Sequence, residues 1–179
     1  MAQVMTGDDI RRALRRISHE ILENHRGPAD LVLVGIHTRG VVLARMVGDT
    51  MSAFSGESVP VGELDIGLYR DDRDLRADIP VRQTNVPVGI DGRVVVIVDD
   101  VFYTGRTVRA ALDALSDLGR SRVTELAVLI DRGHRELPIR ADYIGKNLPT
   151  SREERVSVKL LESDGNEGVF IEESHVGVS

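Results

Sequence analysis

The chain contains no cysteine, so disulfides, thiolate metal sites and cysteine nucleophiles are excluded together. Tryptophan is absent too, and aromatics make up only 3% of the residues, which leaves valine, leucine, isoleucine and alanine to build a core. No apolar run is long. Those at Leu31 to Ile36 and Val94 to Val98 fall far short of the ~20 residues a membrane helix needs, and the start of the sequence lacks a signal-peptide core. A cytoplasmic protein without membrane contact is expected. Positive charge is in deficit: 23 basic against 29 acidic residues give a net charge of −6, so the molecule as a whole repels nucleic acid and any RNA binding needs a local basic patch. What remains is 179 residues, 41% of them hydrophobic, enough for one domain with its own core. No internal repeat or low-complexity tract is visible.

Strand and helix patterns alternate along the chain. Thr6 with Asp9 three residues on forms a capping box that opens an amphipathic helix to about Glu23, stopped by Gly27-Pro28. Leu31 to Ile36 is a buried strand, Gly40 to Met51 has helical spacing, and Val59 to Tyr69 reads as a strand. Asp71 to Gly92 is polar, with apolar alternation around Ile79 to Val88, and is either a loop or a projecting hairpin. Val94 to Val98 is a central strand, followed by a helix with Val108, Ala111, Leu112 and Leu115 on one stripe and a stop at Gly119. After a core strand at Leu126 to Ile130 comes a stretch punctuated by Gly and Pro, Asp131 to Thr150. Val156 to Leu161 and Val169 to Ile171 then read as a hairpin around Asp164-Gly165-Asn166. The expected class is α/β.

Chemistry concentrates where strands end. Val94 to Val98 runs into Asp99 and Asp100, then Thr104-Gly105-Arg106-Thr107, then a helix. Ligands of open α/β sheets sit outside the carboxyl ends of strands. Hydroxyls and backbone amides at a helix start suit a phosphate, and Gly105 allows close approach. Two acceptor-only carboxylates beside them suit sugar hydroxyls or the waters of Mg²⁺. Asp followed by Thr-Gly is also ordinary strand-to-turn vocabulary; the full order of strand, acid pair, turn and helix favours the functional reading. Leu31 to Ile36 likewise empties into His37-Thr38-Arg39-Gly40, a second candidate anion site. Ile130-Asp131-Arg132-Gly133-His134 lies where a base must sit if ribose and phosphate occupy the main motif; Asp131 and His134 are equally explained as loop organisers. On the first helix, Arg11, Arg12, Arg15, Arg16 and His19 share one arc opposite Ile10, Leu14, Ile17 and Ile21. Such a positive face is also the usual solvated side of a helix.

Val96-Ile97-Val98-Asp99-Asp100-Val101-Phe102-Tyr103-Thr104-Gly105-Arg106-Thr107 resembles the phosphoribosyl pyrophosphate (PRPP) motif of type I phosphoribosyltransferases. Within that group, Ile10-Arg11-Arg12-Ala13-Leu14 and Arg132-Gly133-His134-Arg135-Glu136-Leu137-Pro138-Ile139-Arg140-Ala141-Asp142-Tyr143-Ile144-Gly145-Lys146-Asn147 resemble the PyrR family, pyrimidine-operon regulators that are also uracil phosphoribosyltransferases. The likeness runs from about Ile10 to about Leu161.

The resemblance implies a type I phosphoribosyltransferase fold: a mostly parallel central sheet with helices on both faces, a projecting lid hairpin and a small C-terminal hairpin or hood. A single domain over 1–179 is expected, with the lid at about 69–93 and the hood at about 131–175. It implies Asp99 and Asp100, with Arg39 and Arg70, as catalytic residues, and Val101 to Thr107 as the cradle of ribose and 5′-phosphate. His37, Thr38, Arg39 and Gly40 become the pyrophosphate loop, and Ile130, Asp131, Arg132 and Gly133 the base side. Tyr69-Arg70-Asp71-Asp72 resembles the start of the lid, which would keep water from a cation-like ribosyl centre. Mg²⁺ is expected, held mainly by PRPP and reached by Asp99 and Asp100 directly or through water. Arg15, Arg16, His19, Arg135, Arg140 and Lys146 are implied as an RNA-binding set for the pyrimidine-operon mRNA leader, with Arg15 standing where several relatives carry a small hydroxyl residue. The expected partners are PRPP, uracil and UMP, and a homodimer or larger homo-oligomer is expected. The alternatives are a nucleotide-sensing RNA regulator with little catalysis and a purine-type phosphoribosyltransferase.

Overall fold

Two alternating sets of apolar residues run along the central strands, and each faces a different helical layer. The structure, a computed structural model, describes residues 1–69 and 84–173. In chain order these form β1 (Ala2–Met5), α1 (Gly7–His25), β2 (Leu31–Ile36), α2 (Arg39–Ser55), β3 (Val61–Leu64), β4 (Val94–Phe102), α3 (Arg106–Ser116), β5 (Val123–Asp131), β6 (Tyr143–Asn147), β7 (Glu154–Lys159), α4 (Leu161–Asp164) and β8 (Gly168–Glu173). The main sheet has the order β3-β2-β4-β5-β6, with every neighbouring pair parallel. Side chains of a strand point alternately to opposite faces. Leu31 and Leu33, Val94, Val96 and Val98, and Leu129 therefore pack with α1 and α2, whereas Val32 and Val34, Val95 and Ile97, and Leu126 and Val128 pack with α3. Burial of each such side chain contributes roughly 1.5–3 kcal/mol. Helices on both faces of a parallel sheet are what the sequence reading expects.

The capping box forms: Asp9 N–H donates to Thr6 Oγ1 at 3.2 Å and Thr6 N–H to Asp9 Oδ2 at 2.8 Å. At the other end of α1, Arg26 takes a left-handed conformation and Gly27 N–H closes onto the Leu22 carbonyl at 2.9 Å. Ile10, Leu14, Ile17 and Ile21 are buried as read, joined by Ala13 and Ser18. The last turn of α1 is pinned to the sheet by a polar cluster. Tyr143 donates to Glu125 Oε2 at 3.1 Å and accepts from Asn24 Nδ2 at 3.0 Å, and His25 Nε2 meets Glu125 Oε1. Burial pushes the Tyr143 hydroxyl up to about 12. Removing Glu125 leaves several enclosed polar atoms without their partner, so Glu125→Ala destabilises the fold by about 1–3 kcal/mol, to be measured by urea unfolding.

Several elements differ from the sequence reading. β3 spans Val61–Leu64 rather than Val59 to Tyr69. The central strand continues through both acids to Phe102. Leu112 is 38% exposed, and Ala110 and Ala114 complete the buried stripe of α3 in its place. The stretch after β5 contains β6, an edge strand, and β1 joins the C-terminal hairpin to make an antiparallel sheet of order β1-β8-β7. That hairpin turns through α4 and Gly165, and Val158, Leu160 and Val169 anchor it in the α1–α2 side of the core. Within the expected lid at about 69–93, the described Asn85 returns to β3, where it exchanges backbone hydrogen bonds of 2.8 and 2.9 Å with Glu63. Among the described residues, no helix is long and apolar enough to cross a membrane.

Candidate active site

β4 delivers two carboxylates in succession, and the alternation of the strand makes them inequivalent. Asp99 is 7% exposed and lines a pocket of about 310 Å³ with Val101 and residues 103–108. Asp100 belongs to the opposite face and does not line that pocket. Each carboxylate turns one oxygen back to the chain: Asp99 Oδ1 accepts Asp100 N–H at 2.9 Å, and Asp100 Oδ1 accepts Val101 N–H at 2.8 Å.

The other wall of the pocket is the start of α3. Gly105 is its N-cap, with φ of 98°, a left-handed conformation suited to glycine. Behind it, Thr104 O accepts Glu136 N–H at 2.9 Å, and Leu137 closes on Gly105. Tyr103, Thr104, Gly105, Arg106 and Thr107 all border the pocket, so the first-turn amides and hydroxyls of α3 converge with Asp99. Helix starts attract anions through these amides and the helix dipole. Two members of the predicted cradle behave differently. Phe102 is 4% exposed and packs into the α3-side core, offering the site only its backbone. The Arg106 guanidinium pairs at 3.4 Å with Glu136, which also meets Arg152 at 3.5 Å.

The predicted pyrophosphate loop joins β2 to α2 and contains a cis peptide between His37 and Thr38. A Cβ on Gly40 would lie 2.5 Å from the Val98 carbonyl oxygen, so this loop is seated directly on β4 beside the acids. Arg39 is held by a residue the sequence reading does not assign to the site: Asp164 of α4, in a bidentate pair of 2.6 and 3.2 Å. The Arg39 guanidinium, helped by the Leu160 N–H and the Ser163 hydroxyl, holds the Asp164 carboxyl at about 2, against an ordinary value of 3.8. A depressed carboxylate stabilises the fold fully above its ordinary value and loses that contribution as pH falls through about 2. Asp164→Asn therefore melts below the parent protein at neutral pH, and the gap closes on acidification from about pH 4 to pH 2 in a series of thermal melts. A parallel chain of charge braces the same corner. His37 Nε2 lies 3.2 Å from Glu63 Oε2 without hydrogen-bond alignment, and Arg45 bridges Glu63 at 2.5 Å and Glu162 at 3.0 Å.

On the base side, Ile130 is fully buried and Arg132 is 7% exposed. Arg132 is a clamp: it donates to Thr150 Oγ1 at 3.0 Å and to the Ser151 and Glu154 carbonyls at 2.9 and 2.7 Å. Its guanidinium also stacks 4.1 Å from the Tyr103 ring, whose other neighbour is His134, edge-on at 5.7 Å. The Arg132 charge is thus spent inside the protein, on the Ser151 and Glu154 carbonyls and the Tyr103 ring. Gly133 is exposed, with open space around it. Along the expected base side the backbone is largely engaged within the protein: Arg132 N–H donates to the Phe102 carbonyl at 3.1 Å and Gly133 N–H to Asp131 Oδ1 at 3.0 Å, while the Asp131 and Arg132 carbonyls accept from Leu148 N–H at 2.8 Å and the Thr150 hydroxyl at 3.2 Å. Of the predicted lid start, Tyr69 donates to Asp117 at 2.6 Å, a bond that raises its pKa. Arg70 lies outside the described residues.

The predicted RNA set is split by the sheet edge. Arg15, Arg16 and His19 stand exposed on α1. Arg16 reaches across to β6, donating to the Gly145 carbonyl at 2.6 Å and the Ile144 carbonyl at 3.2 Å, and pairs with Glu20 at 2.9 Å. Lys146 shares a surface pocket with Arg16 and Arg12. Arg135 and Arg140 sit on the β5–β6 connection, whose Ile139 and Ala141 pack on the opposite, α3 layer. The α1 face is also less positive than its arginine count: Arg11 pairs with Asp8 and Glu167, and Arg12 with Asp9.

No group of three or more metal-ligating side chains occurs among the described residues. The donors that face the pocket are oxygens, the type Mg²⁺ prefers, and two carboxylates at a strand end fit a metal carried in by a diphosphate.

A family model described as phosphoribosyl transferase domain matches residues 2–163. The chain is 60% identical over 174 residues to the Bifunctional protein PyrR of Pelotomaculum thermopropionicum, covering 97% of this chain and 96% of that one. It is 59% identical over 170 residues to the protein of the same name from Chloroflexus aurantiacus, covering 94% and 93%. Among solved structures, a hypoxanthine phosphoribosyltransferase of Trypanosoma cruzi matches with a TM-score of 0.73 at 17% identity over 97% of both chains. One from Staphylococcus aureus matches with a TM-score of 0.70 at 18% identity, over 93% of this chain and 89% of that one. These two likenesses concern the fold. With a phosphoribosyl transferase domain matched over most of the chain and relatives of such high identity along nearly its whole length, the protein belongs to the PyrR family of type I phosphoribosyltransferases.

Proposed function

We propose that the chain transfers a phosphoribosyl group from PRPP to uracil, forming UMP and pyrophosphate, and binds the leader of pyrimidine-operon mRNA in a UMP-dependent way to attenuate expression. The observation that carries the first half is the convergence of Asp99 with the first-turn amides of α3 on one pocket. There the 5′-phosphate sits on Thr104 to Thr107 and the ribose hydroxyls on Asp99. The reaction breaks the bond from C1 to the diphosphate oxygen and forms one from C1 to the uracil nitrogen, which gives up its proton. Arg39 meets the departing diphosphate beside β4, and Arg70 is the second cation assigned to it. Mg²⁺, bound with PRPP and reached by Asp99 and Asp100, supplies neutralisation of the diphosphate charge. Fixing both ends of the phosphoribosyl group leaves positioning and electrostatics as the source of rate. Uracil lies against Ile130 to Gly133.

The RNA half rests on the free cations. Among the described residues Arg15 and Arg140 have no acidic partner, in a molecule of net charge −6. The chain acts as one domain over 1–179, with lid and hood at about 69–93 and 131–175, in the cytoplasm and as a homodimer or larger homo-oligomer. Two-fold repetition of the basic surface strengthens RNA binding.

A single assay set tests this reading. Uracil, hypoxanthine, guanine and orotate are each supplied with Mg²⁺ and PRPP, and a leader RNA is titrated by gel shift with and without UMP. Uracil is expected to exceed the other bases by roughly 10²-fold or more in kcat/KM, since a mismatched base leaves buried polar groups unpaired. UMP is expected to tighten RNA binding. Turnover of hypoxanthine or guanine above uracil identifies a purine enzyme instead, and UMP-dependent RNA binding without turnover a sensor.

A further inference from the structure

The seam between α1 and α2 carries a surface that the transferase site does not use. Arg11 and Arg15 of α1 and Met46 and Thr50 of α2 line one groove of about 510 Å³, with Leu14 beneath. One turn beyond Arg15 and Thr50, His19 meets Phe54 with ring centroids 3.9 Å apart and planes tilted by 45°. Phe54 is 50% exposed, although only 3% of the chain is aromatic and Phe102 and Tyr143 are buried. The ring thus stands half in water one helical turn beyond the groove. The cation one turn before His19 is distinctive. Arg11, Arg12 and Arg16 each hold an acid, whereas Arg15, one turn before His19, has no such partner among the described residues.

A half-exposed ring pair one helical turn from an uncompensated guanidinium is complementary to a nucleotide: the base stacks on the rings and the phosphate meets the cation. Bases within a duplex are already stacked, so the ligand that fits is an unpaired nucleotide in an RNA loop. We propose that His19 and Phe54 form a stacking shelf for one unpaired loop base, with Arg15 on the adjoining phosphate. This rests on the RNA-binding reading above and adds Phe54, on a different helix, to the interface.

The test uses the full chain and a pool of hairpin RNAs with a randomised apical loop, the retained sequences being carried forward. Phe54→Leu keeps apolar cover over His19, and circular dichroism and thermal melting verify its fold. Its affinity for retained hairpins is expected to fall about 10-fold, within the range of one base–aromatic stack, with the salt dependence unchanged. Phe54→Tyr retains affinity, whereas Arg15→Ala reduces the salt slope by about one. An abasic residue at one loop position weakens the parent protein about 10-fold and Phe54→Leu no further. Equal affinity of Phe54→Leu and parent, when the parent retains hairpins, overturns the shelf and leaves the RNA reading standing. Retention of no hairpin by the parent overturns both. Altered sedimentation of Phe54→Leu with unaltered RNA affinity assigns the ring to a contact between copies and also overturns the shelf.

Discussion

Replacing Asp99 by asparagine lowers kcat/KM for PRPP by about 10²–10³-fold, the scale seen when one preorganised electrostatic group is lost from a water-poor site. The substitution tests charge and hydrogen-bond sense while sparing shape. Asp99 is 7% exposed and its Oδ1 accepts the Asp100 N–H, a bond that the amide oxygen of asparagine can keep. The nitrogen then faces the ribose hydroxyls with donors where acceptors are needed, and the negative charge opposite a cation-like ribosyl centre is gone. Asp100→Asn alone has the smaller effect, because Asp100 lies outside the pocket shared by Asp99 and α3. The double variant is expected to release pyrophosphate at background in a uracil-dependent assay. Near-normal release by that variant removes both acids from the mechanism, whatever the family pattern suggests.

The strand, acid pair, turn and helix of the candidate site were legible because they are local: all lie within Val94 to Ser116, and each step has its own residue signature. The boundaries of β2 are also those of its apolar run. Legibility failed where structure depends on distant partners. β6 has five residues at a sheet edge, preceded by a stretch rich in Gly, Pro and charge, and its side chains run from buried to exposed. β1 is four residues long and mostly exposed, so it has no periodic signal and is defined only by pairing with β8, over 160 residues later. Asp164 reads as part of a hairpin turn, yet it holds Arg39 from 125 residues away. Arg132 is a similar case: expected on the base side from its place after β5, it is held by carbonyls of Ser151 and Glu154 and by the Tyr103 ring, partners its local sequence does not announce.

Arg16 illustrates why a basic helical face is a weak guide to a ligand surface. Its guanidinium satisfies the Ile144 and Gly145 carbonyls of β6, so part of its role is to tie α1 to the sheet edge. A loss of RNA binding in Arg16→Ala therefore mixes a lost cation with a displaced Lys146. Arg15, exposed and without an acidic partner among the described residues, reports on charge alone.

Gly40→Ala is expected to lower both stability and turnover, and the sign of the stability change carries the argument. Gly40 lies in the first turn of α2, where alanine is intrinsically the better helix former by about 1 kcal/mol. A stabilised variant would thus follow if the position were an ordinary helical one. Instead, the new Cβ would stand 2.5 Å from the Val98 carbonyl oxygen and 3.3 Å from Asp99 Cα, both backbone atoms of the central strand. On the other side, a Cβ on Gly35 would stand 2.4 Å from the Gly40 carbonyl oxygen, so the turn is wedged between two strands with no room to retreat. Overpacking of this kind costs about 1–3 kcal/mol and sometimes more, which in a chain of this size lowers Tm by roughly 2–12 °C. Turnover falls further than the folded fraction, because the backbone that must move carries Arg39 on one side and Asp99 on the other. Gly48→Ala, in the same helix, is the control: its Cβ meets only side-chain atoms, Val61 Cγ2 at 2.7 Å and Leu33 Cδ1 at 3.5 Å. Side chains give more readily than strand backbone, and the helix-forming gain offsets part of the clash, so the loss is smaller than at Gly40. A Gly40→Ala protein that melts at or above the Gly48→Ala control, with turnover intact, separates the pyrophosphate loop from β4 and with it Arg39 from the acids.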